Sequence, residues 1–385
     1  MANSTNCKRP DYLHTRNHWH RDFHPEDTVS NTELVKSFNA YADKFNLEHA
    51  DQIETGEVVA QPHSSEKFIV KASGIYSLYV IDKVGILNPD VMHPMLRQRE
   101  DDEPSLMAEI ASEAAFKALK AAGKTTADVD AVICAASNLE RAYPAIAIEI
   151  QELLGITGFA FDMNVACSSA TFGLQLAADM IKSGSISSAL IVNPEIYSAH
   201  LEWRDRDCHF IFGDVATATL VERSEDAKGP YFEIKSTLCA TDFSNNIRNN
   251  NGFLRRSRPD GTADRRDMQF MQNGRKVFKE VLPMVCAHIG SHLNDENIQA
   301  TDLKRLWLHQ ANKSMNDFIG KKVLERTPKD GEQPNILQDY ANTSSAGSII
   351  AFSKYSNDLK EGDYGLICSF GAGYSVGSVV VQRQG

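Results

Sequence analysis

Between residues 105 and 123, a stretch rich in Ala, Leu and Lys carries helical periodicity and stops at Gly123. Residues 130–136 form a short apolar run and predict a strand. Residues 168–183 predict a second helix, ended by Gly184, and residues 188–193 a second strand. Helices alternating with near-continuous apolar strands predict an α/β fold with buried strands. The chain before about residue 25 shows no clear period, and residues 1–28 are expected to be irregular.

The pattern then repeats. Asp128-Val129-Asp130-Ala131-Val132-Ile133 resembles Asp302-Leu303-Lys304-Arg305-Leu306-Trp307, 174 residues on (302 − 128). Ala166-Cys167-Ser168-Ser169-Ala170 resembles Ala341-Asn342-Thr343-Ser344-Ser345-Ala346, 175 residues on (341 − 166). Phe212-Gly213-Asp214 and Phe370-Gly371-Ala372-Gly373 each precede a closing strand. Three matches in one order predict two similar α/β halves, residues 29–225 and 270–385, packed face to face. Residues 226–269, where Asn, Arg and Asp are frequent, are expected to be a connecting insertion.

A length of 385 residues suits two such halves. Net charge is −11, so nucleic acid is not the expected partner, because phosphate binding needs a cationic face. No apolar run is long enough to span a bilayer, and the first 28 residues lack the apolar segment of a secretory signal. No membrane association is expected. The seven cysteines are scattered and form no Cys-x-x-Cys. They suit a reducing cytoplasm and predict free thiols, not disulfides or zinc. His14, His18, His20 and His24 are irregularly spaced, and no metal is expected.

The duplication has a geometric consequence. Cys167 and Asn342 occupy equivalent places, each at the start of a helix beside the seam between halves. His309 closes the strand at residues 306–308 and enters a polar turn. Free N–H groups at a helix start favour a thiolate, the nucleophilic form of cysteine. The same turn offers an N–H to a developing oxyanion. Taken singly, each residue has a plainer reading: a buried thiol, a core histidine, a helix-capping asparagine. Three such groups meeting at one seam favour chemistry.

These residues carry a resemblance. The segments Asn164-Val165-Ala166-Cys167-Ser168-Ser169-Ala170-Thr171-Phe172-Gly173, Ile211-Phe212-Gly213-Asp214, His309-Gln310-Ala311-Asn312, Asn342-Thr343-Ser344-Ser345-Ala346 and Phe370-Gly371-Ala372-Gly373 resemble the β-ketoacyl-ACP synthase III branch of the thiolase superfamily. Two further phrases, residues 141–147 and 243–250, resemble a longer bacterial subgroup. The resemblance covers nearly all of the chain from about Val29. It implies the thiolase-like fold, with two pseudo-duplicated halves in five layers, αβαβα. It also implies a reaction. Cys167 takes the acyl group of an acyl-CoA primer, and the N–H groups of Cys167 and Ala372 form the oxyanion hole. His309 and Asn342 stabilise the enolate left when malonyl-ACP loses carbon dioxide, and β-ketoacyl-ACP leaves. No cofactor is implied beyond the two substrates.

The resemblance assigns further residues. Arg206, Phe68, Tyr143 and Phe278 are the expected substrate-binding residues. Phe68 and Ala72 stand where family members carry a Trp and an Arg that clamp adenine, so that clamp is altered. Tyr143 belongs to a loop that closes the partner's acyl pocket in a homodimer. Acyl carrier protein is acidic, so a local basic patch is expected at Lys279, Lys313, Lys321 and Lys322. A head-to-head acyl-CoA condensing enzyme would share Cys, His and Asn. A biosynthetic thiolase would need a second cysteine, and Cys368 is one residue out of register for it. A non-catalytic binding protein would not need all three groups.

Overall fold

The computed structural model describes residues 13–16, 22–227, 229–252 and 265–385. Ten strands build one mixed sheet: β1 (Leu13–Arg16), β2 (Asp22–Phe23), β3 (Ala131–Ala135), β4 (Phe159–Met163), β5 (Ser188–Glu195), β6 (Val215–Arg223), β7 (Tyr231–Ser244), β8 (Leu303–Leu308), β9 (Tyr364–Gly371) and β10 (Gly373–Gln384). The longer helices are α1 (Asn31–Glu48), α2 (Glu66–Ser73), α3 (Leu106–Ala122), α4 (Ile146–Leu154), α5 (Ser169–Lys182), α6 (Gly274–Asp295), α7 (Lys313–Val323) and α8 (Gly347–Lys354). Strand order is β8-β9-β10-β7-β1-β6-β5-β3-β4, with β2 on β6.

The duplication is visible in this order. In the first half β3 pairs β5 in parallel, then β6 and β1 follow antiparallel. In the second, β8 pairs β9 in parallel, then β10 and β7 follow antiparallel. The halves meet where β1 pairs β7.

Strand alternation sorts the core into layers. Ala131, Ile133 and Ala135 of β3 and Ile367 of β9 face α5 and α8, which form the middle layer. Val132 and Cys134 face outward onto α3 and α4. Leu306, Leu308, Leu366 and Cys368 face outward onto α6 and α7. The result is αβαβα. The middle helices are buried nearly all round. Gly173 of α5 has Ala135 and Ile191 each 3.2 Å from where a Cβ would stand, so the helix lies close on its sheet.

Local signals explain the boundaries. Ser105 caps α3 by accepting the Ala108 N–H at 3.1 Å, and Gly123 ends it at φ 62°. Two expectations need correction. Residues 1–28 are not simply irregular: β1 and β2 lie there, and β1 is held by partners on both sides, β6 and β7. Four isolated residues carry no readable period without those partners. Residues 226–269 are not merely an insertion, because they contain β7, the long strand beside β10. Its polar positions hid it: Glu233 is buried, and its carboxylate accepts from Lys235 at 2.9 Å and from Gln384 at 2.7 Å.

Candidate active site

Cys167 sits in the turn between β4 and α5. Ala166 adopts φ 48°, and the Ser169 hydroxyl ties the turn by donating to Ala166 O at 2.7 Å and accepting from Val165 N at 2.9 Å. The equivalent turn repeats the device: Ala341 has φ 55°, and Asn342 follows. Asn342 is fixed to the other half by its N–H to Ile211 O at 2.9 Å and by its carbonyl, which accepts from Gly213 at 3.1 Å. His309 continues β8, its N–H donating to Cys368 O at 2.7 Å.

All three line one cavity of about 220 Å³, together with Phe210, Phe212, Phe278 and Phe370. The backbone amides of both Cys167 and Ala372 favour the charged form of the Cys167 sulfur. Gly371 passes so close that a Cβ there would stand 2.7 Å from Cys167 Cβ and 3.0 Å from Sγ. The Ser344 hydroxyl lies 3.3 Å from Sγ. Asn342 Oδ1 accepts from the Ser344 N–H at 2.8 Å, which leaves its Nδ2 to donate. The Ser344 backbone favours the charged form of His309, and the buried His309 Nδ1 has no partner among the described residues. Ser344 therefore bonds Asn342 and Cys167 and bears on His309.

The electrostatics depart from the sequence reading. Burial pushes the Cys167 thiol up to about 11, against the pull of Ser344 and the two amides. A helix start is not enough to yield a resting thiolate here. Burial also holds His309 down at about 4, so its imidazole is neutral. Behind Ser344 lies a network that motif spacing did not announce. The Ser344 hydroxyl donates to Ser137 Oγ at 2.9 Å, and Ser137 donates to the carboxylate of Glu195. Glu195 is 1% exposed, and burial raises it to about 7. The only hint was a glutamate ending an otherwise apolar strand.

The remaining predicted residues scatter. Phe278 lines the cavity and is partly exposed. The Arg206 guanidinium stacks 3.9 Å over the Phe68 ring, and Phe68 packs edge-on against Phe210 at the cavity wall. Tyr143 is 86% exposed and packs in no core. Lys279 follows Phe278 in α6 and Lys313 follows Asn312 at the start of α7; Phe278 and Asn312 line the cavity. Lys313 is paired with Asp317 at 2.6 Å. Lys321 and Lys322 are exposed at the far end of α7, about 14 Å along the helix from Lys313. Cys368 faces the outer helices, away from this cavity. His18 and His20 lie outside the described residues. No group of three metal-ligating side chains occurs among the described residues, and no helix there is long and apolar enough to cross a membrane.

Known proteins carry the same pattern. Residues 161–240 match the family model for 3-oxoacyl-[acyl-carrier-protein] synthase III, and residues 293–383 match its C-terminal counterpart. The chain is 53% identical to a β-ketodecanoyl-[acyl-carrier-protein] synthase of Pseudomonas aeruginosa over 91% of this chain and all of that protein. It is 34% identical to a β-ketoacyl-[acyl-carrier-protein] synthase III of Acidiphilium cryptum, over 70% of this chain and 82% of the relative. The crystal structure of 3-oxoacyl-(acyl carrier protein) synthase III from Pseudomonas aeruginosa superposes with TM-score 0.74 at 21% identity, covering 97% of this chain and 99% of that one. With its αβαβα layers and cysteine-centred cavity, the chain belongs to the β-ketoacyl-[acyl-carrier-protein] synthase III family, condensing acyltransferases of fatty acid biosynthesis.

Proposed function

We propose that Cys167 carries the acyl group and that His309 and Asn342 drive the condensation, with a medium-chain acyl-CoA as primer and malonyl-ACP as extender. The observation that supports this best is convergence on one cavity: Cys167, His309 and Asn342 line it together, with the Ser344 hydroxyl 3.3 Å from Sγ. Once Sγ is acylated, the amides of Cys167 and Ala372 are the donors available to the thioester oxygen. Neutral His309 and the Asn342 Nδ2 can then donate to the malonyl carbonyl as its enolate forms.

The primer length rests on arithmetic. The relative from Pseudomonas aeruginosa is named for a ten-carbon product. Each condensation adds two carbons, so its primer has eight. At 53% identity the same class is the best first choice here. The Phe68–Arg206 stack would meet the nucleotide end of the primer. Acyl carrier protein would approach the rim at Lys279 and Lys313, with Lys321 and Lys322 extending the basic track along α7.

A homodimer fits two exposed features. Strand β4 ends the sheet with one open hydrogen-bonding edge, and its Phe159 is 44% exposed. Tyr143 stands clear of its own chain. The six described cysteines are free, which suits the cytoplasm.

The test separates loading from condensation. Octanoyl-CoA should add one octanoyl group to Cys167, read by intact mass, and C167A should take none. H309A and N342A should still load but fail to decarboxylate malonyl-ACP. Normal condensation by either variant would remove its assigned role. Replacing malonyl-ACP by a second acyl-CoA should give no product; a product would favour head-to-head condensation.

A further inference from the structure

We propose that Glu195 is the proton acceptor for the Cys167 thiol, reached through the hydroxyls of Ser344 and Ser137. The inference rests on Cys167 being the nucleophile. Its starting point is a mismatch: a thiol that must attack as thiolate lies where burial opposes ionisation. The neutral imidazole of His309 is a poor acceptor, since burial holds it near 4. Among the described residues, the carboxylate wired to the sulfur is Glu195, which burial makes more basic than a surface carboxylate, at about 7.

The wiring is continuous. Sγ to Ser344 Oγ is 3.3 Å, Ser344 Oγ to Ser137 Oγ is 2.9 Å, and Ser137 Oγ donates to Glu195 Oε2. A hydroxyl has one proton. When Ser344 donates to Ser137, a lone pair of Ser344 is left for the thiol proton. Glu195 is held in place by two backbone N–H groups, of Ser137 at 3.1 Å and Ser345 at 3.2 Å, and by the Ser345 hydroxyl. These donors come from both halves, so the carboxylate also pins the Asn342 turn against the first half. The titratable groups coupled to Glu195 are Cys134, Cys167 and Tyr197. Tyr197 stays protonated, because burial raises it.

The proton count closes. The thiol proton passes to Ser344 Oγ as the Ser344 proton passes to Ser137 Oγ and the Ser137 proton to Glu195 Oε2. The thiolate attacks the acyl-CoA carbonyl, a carbon–sulfur bond to CoA breaks, and the CoA thiolate takes a proton from water. Glu195 keeps its proton while the acyl-enzyme waits. After condensation, the tetrahedral intermediate expels Cys167 as thiolate, and the same three transfers in reverse restore the thiol and the carboxylate.

Ser344→Ala is the sharpest probe. It deletes the hydroxyl and leaves the backbone N–H to Asn342 Oδ1. The assay is alkylation of Cys167 by iodoacetamide between pH 5.5 and 9.5, followed by mass. In the unsubstituted enzyme the rate should inflect near pH 7, where Glu195 ionises. S344A, S137A and E195Q should lose that inflection and react at least about tenfold more slowly at pH 7.5, a modest demand beside the ~10²–10⁴ a positioned base typically supplies. The second readout is malonyl-ACP decarboxylation by S344A first acylated at pH 9.5, which should fall much less than its alkylation rate at pH 7.5, since the relay is idle in the acyl-enzyme. Alkylation unchanged in S344A and S137A would overturn the relay while leaving Cys167 the nucleophile. Decarboxylation lost along with alkylation would overturn it in favour of a purely structural role for Ser344. Absence of any alkylation or acylation at Cys167 in the parent enzyme would remove the nucleophile itself. Should E195Q not fold, the two serine variants decide alone.

Discussion

Adding one methyl group at Gly371 tests how tightly the Cys167 side chain is held. A Cβ built there stands 2.7 Å from Cys167 Cβ and 3.0 Å from Sγ. Carbon atoms settle at about 3.5 Å or more, so Cys167 must retreat by roughly 0.8 Å. It cannot retreat freely, because its own turn is stitched by Ser169 and Sγ lies against the Ser344 hydroxyl. A displacement of about 1 Å typically costs about a hundredfold in a positioned reaction. Gly371→Ala should therefore load Cys167 from octanoyl-CoA roughly ten- to a hundredfold more slowly, read by single-turnover intact mass. Overpacking of this kind costs about 1–3 kcal/mol, which urea unfolding would register. Gly290→Ala is the matched control, since nothing lies within 4 Å of its added Cβ. A G371A enzyme that loads and unfolds like its parent would mean that the sulfur is not confined as described.

Other expectations follow from burial and placement. Tyr143→Trp should shift primer preference toward acetyl-CoA and Tyr143→Ala toward longer chains; unchanged loading profiles for both would exclude this tyrosine from the pocket floor. Reversing Lys279 and Lys313 to Glu should raise KM for malonyl-ACP more than reversing Lys321 and Lys322, with acyl-CoA loading unaffected; equal or absent effects would exclude docking at the rim. His309 is neutral in the fold because burial lowers it from 6.5 to about 4. Between those values the unfolded chain binds the extra proton, so stability falls as pH drops from 6.5 to 4, by up to about 3 kcal/mol from this residue. His309→Gln should lessen that fall in urea unfolding, and an equal fall in both proteins would contradict a buried neutral His309.

What could be read from the sequence had local causes. Cys167, Asn342 and His309 each close a strand or open a helix, and the repeat offset places them at one seam. Strand β7 was lost because Glu233 and Lys235 gave it a polar face whose partners come from β10, far along the chain. Strand β1 was lost because both its neighbours lie some 200 residues on. Glu195 and Ser137 were silent for the same reason: their meaning lies in contacts with Ser344 and Ser345 across the seam. The resemblance placed Lys279, Lys313, Lys321 and Lys322 in one patch; three of them lie on α7, Lys313 at its start and Lys321 and Lys322 near its end. The thiol's environment was misjudged because a helix start is visible in sequence and the depth of burial is not.

The division of the site between halves also sets a schedule for its birth. Cys167 leaves the ribosome 205 residues before Ala372 (372 − 167), the amide that completes its surroundings. At about 5–20 residues per second, that interval lasts roughly 10–40 seconds. Throughout it the Cys167 turn can form, but Gly371, His309 and Asn342 do not yet exist to enclose it. Strand β1 waits for both of its neighbours as well. A half-made chain therefore carries an unshielded thiol, and the cavity closes around it only when the last two strands arrive.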